Sequence, residues 1–143
     1  MRGSQSAPSE PTTPGRTRRR FTVAEANRAL PLVGRIAADV VRAHADAVAA
    51  QDRLAAAAAA ADKAALQDRL RAALERLEDF VDELTEVGCD LKDGARGLVD
   101  FTGRHDGRDV CLCWQLGEDR VDHWHETDAG FAGRQPIESL REG

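Results

Sequence analysis

The chain has 143 residues, 42% of them hydrophobic but only 4% aromatic, and alanine supplies much of the apolar content. Such a composition suits one domain with a thin, extended core and argues against a large enclosed cavity. The net charge is -5; the first twenty residues, with five Arg against one Glu, carry +4, which leaves the other 123 residues at -9. An acidic body of this kind speaks against broad binding to nucleic acid or to anionic membranes.

Residues 1–20 hold three of the five prolines and no Leu, Ile, Val or Phe, so a disordered basic tail is expected, closing on Arg16, Arg18, Arg19 and Arg20. The tail has no apolar h-region, and no run in the chain approaches the ~18 residues of a membrane span. Three cysteines, Cys89, Cys111 and Cys113, are an odd number, and the last two are too close in an extended strand to bridge. They read as reduced thiols, and the expected location is cytoplasmic.

Order is expected to begin at Phe21. Thr22 with Glu25 forms a capping box for a first short helix over residues 23–30, and Pro31, which lacks a backbone donor, predicts a break there. From Leu32 onward the apolar positions Ile36, Val40, Ala43, Ala47, Ala50 and Leu54 alternate spacings of 4 and 3. A second run, Leu66, Leu70, Ala73, Leu77, Phe80, Leu84 and Val87, does the same. The two runs do not share a phase. The first, extended forward, lands on Asp68, Arg71 and Glu75, and the second, extended backward, lands on Lys63, Asp52 and Arg42. A reversal within about Ala58 to Lys63 resolves the conflict, giving a long, coiled-coil-like antiparallel hairpin with Ala43 and Ala47 against Leu70 and Leu74.

Gly88 is placed to end the second helix. After it the period falls to 2 over residues 97–101, 109–115 and 120–125, separated by His105-Asp106-Gly107-Arg108 and by Gly117-Glu118-Asp119. The fold class is therefore α+β, a helical hairpin over residues 21–88 followed by an antiparallel β-meander of three strands within residues 89–136. Cys89-Asp90-Leu91-Lys92 is a candidate fourth strand, and residues 137–143 form a C-terminal tail. Residues 21–136 make one domain.

Several segments taken together resemble the bacterial domain of unknown function 2203. They are residues 21–31 (FTVAEANRALP), Leu91-Lys92-Asp93, residues 97–101 (GLVDF), Leu112-Cys113-Trp114 with Gly117-Glu118, Trp124-His125, and residues 130–134 (GFAGR). The likeness covers Phe21 to about Pro136. It implies a unit of organisation and no activity. In the family pattern a cysteine like Cys113 and a histidine like His125 recur, whereas Cys89, Cys111 and His123 are particular to this chain.

The residues that can carry chemistry collect in the meander. Cys111 and Cys113 share one face of a strand and His123 and His125 one face of the next. With the turn centred on Glu118, Cys113 lies opposite His123 and Cys111 opposite His125, a donor set suited to zinc or another transition metal. The competing reading makes the cysteines small core residues, with no cofactor expected. Cys113 with His125, oriented by Asp100 or Glu126, is the pattern of a thiol nucleophile. Gly130, Gly133 and Arg134 form a flexible loop with a guanidinium for an anion or a partner. Trp124 is placed either to stack a ligand or to pack in the core.

Three functions follow in order. The first is a non-enzymatic interaction or scaffold module, binding a protein partner or a second copy through the hairpin. The second is a metal-binding protein, and the third a thiol-dependent enzyme.

Overall fold

The computed structural model describes residues 19–142. The predicted tail as far as residue 18 lies outside them.

Helix α1 spans Val23–Ala56 and α2 spans Ala60–Val87. Thr22 caps α1 as the spacing predicts: its hydroxyl accepts from Glu25 N at 3.1 Å, and Glu25 Oε1 accepts from Thr22 N at 2.8 Å. The break expected at Pro31 is absent, because α1 runs straight through it. Pro31 is exposed, so water can satisfy the Asn27 carbonyl that its missing N–H leaves free. The reversal falls at residues 57–59, the front edge of the predicted stretch, where Ala57 and Ala59 take extended backbone without help from Gly or Pro. Gly88, at φ 114°, ends α2 in a conformation that favours glycine.

Ala43, Ala47 and Ala50 are buried between the helices as expected, and Leu66 and Ala73 meet them from α2. Leu74 does not; it is 49% exposed. Ala73 takes the inward position, one residue earlier on the 3.5-residue seam. Arg76 and Asp46 pair across the hairpin at 3.3 Å. Among the described residues, no helix is long and apolar enough to cross a membrane.

The sheet has five antiparallel strands in chain order, β1 (Cys89–Asp93), β2 (Leu98–His105), β3 (Arg108–Gln115), β4 (His123–His125) and β5 (Gln135–Pro136). The first of these is the candidate fourth strand. The last was not expected, since two residues are too few to display a period. Asp106 and Gly107, both at positive φ (50° and 83°), make the two-residue turn between β2 and β3.

One face of the sheet packs on the helices through Cys89, Val99, Phe101, Val110, Leu112, Trp114 and Trp124, against Ala26, Val33, Ile36, Ala37, Val40 and Leu84. Trp124 belongs to this core: it stacks on His105 at 4.4 Å, and its Nε1 donates to Ser139 Oγ at 2.9 Å. Residues beyond Pro136 are docked on the domain. Ile137 N donates to the Asp122 carbonyl, Arg141 N donates to His105 Nδ1, and Glu142 Oε1 accepts from Val23 N. The basic segment's last two residues are also engaged, Arg19 with the Val87 carbonyl and Arg20 with Asp109.

Candidate functional site

Alternation along the strands sends Asp100, Thr102, Cys111, Cys113, His123 and His125 to the sheet face turned away from the helices. An outward face of a two-layer fold is ordinarily solvated, yet here Asp100, Thr102, Cys113 and His125 are all buried. The register is the one the turn implies: Cys113 is opposite His123, Cys111 opposite His125, and on the other side Asp100 opposite Cys113.

His125 reaches diagonally across β3 to Asp100, Nε2 to Oδ2 at 3.1 Å. Its Nδ1 lies 2.7 Å from the Glu126 carbonyl oxygen, which can only accept, so Nδ1 carries a hydrogen. The Nε2 lone pair of that tautomer faces a carboxylate oxygen, and two such atoms meet only across a shared cation, a proton or a metal ion. Cys113 Sγ completes a trio in which every ligand atom lies within 4.8 Å of the others. Asp100 Oδ1 is buried with no hydrogen-bond partner. Asp100 acts on the Cys111 and Cys113 thiols both through its charge and through side-chain hydrogen bonding.

Burial pushes the Cys113 thiol up to about 12, with the Asp100 charge adding to the rise and the Arg134 guanidinium opposing it. Cys111 goes up to about 11 for the same first two reasons, with Lys92 opposing. These are features of protonated thiols in a protein without bound metal. Cys113 is also fully buried, and His125 directs its Nε2 at Asp100 and its Nδ1 at a backbone carbonyl. A nucleophile needs an accessible sulfur and a ring nitrogen free to take its proton. The Cys113 sulfur is enclosed, and the His125 Nε2 lone pair is turned to Asp100.

The remaining sequence-level candidates serve to close this end of the sheet. Arg134 forks onto Glu118 at 2.7 and 2.9 Å and donates to the Cys113 carbonyl at 3.2 Å. Burial would lower the Arg134 pKa, but the bonds to Glu118 outweigh it, and the guanidinium stays raised. The Glu118 carboxyl is lowered despite its partial burial, by Arg134 and by the Gln115 N–H. The guanidinium edge that would hold an anion is thus occupied by Glu118. Phe131 is stacked between Arg96 and Arg134, at 4.2 and 4.6 Å. Gly130 has φ 69°, and a Cβ on Gly133 would come within 2.6 Å of Ala129 Cβ, so both glycines answer to the loop's path. His123 shares the face but stands outside the trio, with its Nδ1 buried and unpartnered.

Fold and site together define an α+β protein with a helical hairpin on one sheet face and a buried Asp-Cys-His cluster on the other. The family described as "Uncharacterized conserved protein (DUF2203)" matches residues 19–137, and the chain belongs to it. No curated protein and no solved structure matches the chain.

Proposed function

We propose that this protein is a metal-binding module that holds a zinc-like ion between Asp100, Cys113 and His125. The observation that carries the reading is the 3.1 Å approach of His125 Nε2 to Asp100 Oδ2 beside Cys113 Sγ, with Asp100 Oδ1 left unsatisfied. Zinc bonds of about 2.0 Å to nitrogen and oxygen in a tetrahedron separate those atoms by about 3.3 Å, and a thiolate at about 2.3 Å stands about 3.5 Å from the nitrogen. The oxygen–nitrogen pair is already near that spacing, and the sulfur stands within 4.8 Å of both. The hydrogen bond from His125 Nδ1 to the Glu126 carbonyl is the outer contact that commonly orients a ligating imidazole. Thiolate, imidazole and carboxylate together favour zinc or a similar transition ion over magnesium or calcium.

Elemental analysis of protein purified without chelator or affinity metal tests the proposal. About one equivalent of zinc, iron, cobalt or copper should accompany the wild type and be lost from Cys113→Ser/His125→Ala. Substoichiometric metal that the double variant retains would overturn it.

A scaffold role, binding a second copy through the hairpin, is supported by Val48 and Leu74, large apolar side chains 46% and 49% exposed. Leu74→Glu should lower the sedimentation coefficient if they pair two chains. An unchanged monomeric value for both proteins removes the idea.

A further inference from the structure

The contact between His125 and Asp100 spans from β4 to β2, two strand spacings or about 9.6 Å of sheet, so it must pass over β3. His125 is paired with Cys111 and Asp100 with Cys113, and the diagonal therefore crosses β3 between these two cysteines. Both thiols project from that same face. A cation held between Nε2 and Oδ2 would have Cys113 on one side and Cys111 on the other.

We infer that Cys111 is the fourth ligand of this site, turning inward on metal binding to close a tetrahedron of two sulfurs, one nitrogen and one oxygen. The inference rests on the metal-binding reading above and adds the donor that the buried trio lacks. Cys113 is fully buried, whereas Cys111 is half-buried and stands outside the 4.8 Å cluster. A half-exposed side chain can change its χ1 rotamer without opening the core. The two cysteines are about 7 Å apart along the strand, two residues at about 3.4 Å each, and their side chains need only lean together. The Lys92 ammonium, whose charge reaches Cys111, offsets part of the extra negative charge that a second thiolate brings. With Cys111 bound, no position remains for water or substrate, which is the arrangement of a structural site rather than a catalytic one.

Cobalt(II) reports ligand number and type in zinc sites, through a visible band in tetrahedral geometry and a near-ultraviolet thiolate-to-metal band that scales with the number of sulfurs. Full-length protein loaded with cobalt should show both. Cys111→Ser should keep bound cobalt while the near-ultraviolet band falls about twofold, and Cys111→Ala should do the same with faster loss of cobalt to a chelator. Cys113→Ser should lose the ion. A near-ultraviolet band of wild-type intensity in both Cys111 variants would overturn the inference and leave the three-ligand site standing. Absence of either band from the wild type would overturn both readings.

Discussion

Replacing Asp100 by Asn separates the two cations that can lie between His125 and residue 100. In the metal-free protein the amide should donate to the Nε2 lone pair, because Nδ1 keeps its hydrogen toward the Glu126 carbonyl. The variant also removes a buried charge whose Oδ1 has no partner, a situation that costs about 1–3 kcal/mol. Metal-free Asp100→Asn should therefore melt at the wild-type temperature or up to about 4 °C above it, taking a gain of up to about 1 kcal/mol. The conversion uses an unfolding entropy of about 2.1 cal/mol/K per residue over the 124 described residues, or about 0.26 kcal/mol/K. Zinc acts in the opposite sense. A ligand at a hundred times its dissociation constant stabilises by about 2.7 kcal/mol, which is about 10 °C for this chain. The wild type should show that shift and Asp100→Asn should show less than about a third of it. Thermal unfolding by circular dichroism, with and without zinc, reads both quantities. A full zinc shift in the variant refutes the role of Asp100, and a metal-free midpoint more than about 10 °C below wild type marks it as a structural partner instead.

Two other perturbations test the surrounding packing. Cys89 and Cys113, both fully buried, are raised from 9.0 to about 12, by burial first and then by Asp90 and Asp100 respectively. A raised folded-state value stabilises below pH 9 and is lost as pH climbs from 9 towards 12; with Cys111, raised to about 11, metal-free protein should lose about 4 kcal/mol in urea unfolding between pH 7.5 and pH 10. Cys89→Ala should remove roughly a third of that loss, and a pH-independent stability would contradict the assignment. Gly103→Ala would set a methyl 2.8 Å from Leu112 Cγ and Cδ2, and Leu112 is itself fully buried and cannot retreat. A cost of about 1–3 kcal/mol is expected in chemical denaturation, and an unchanged midpoint would mean that β2 and β3 separate more freely than their pairing implies.

Much of this architecture was legible because it is periodic or hangs on a single stereochemical demand. Two seams out of phase required a reversal, Gly88 required a helix end, and a turn centred on Glu118 set Cys111 against His125. The failures came where neither condition held. Pro31 reads as a break from local chemistry, but its position on the exposed side of α1 lets solvent take up the orphaned carbonyl. Leu74 fits a loose apolar count, yet one residue around a helix is 100° and carries it to the surface. Strand β5 is too short to show alternation. At the site, sequence spacing set Cys111 and Cys113 against His125 and His123, the cross-strand register that the strands adopt. Asp100 was seen only as an accessory, because a register specifies which Cα atoms face each other and is silent on a side chain that leans diagonally across an intervening strand. An acidic residue alternating with Val99 and Phe101 in an otherwise buried strand was the available signal.

The turn at residues 57–59 has a consequence for how the molecule opens. The core shared with the sheet draws on α1 only as far as Val40, and beyond it Ala43, Ala47 and Ala50 are buried between the two helices. Each alanine methyl removes little area from water, about 0.8 kcal/mol against roughly 1.5–3 kcal/mol for a large aliphatic side chain. The distal turns of the hairpin are thus its weakest cooperative unit, where amide protons exchange earliest and from which unzipping starts. Such fraying stops at the sheet, so the far end can breathe, accept an inserted sequence or carry a reporter while the strands around Asp100 keep their spacing.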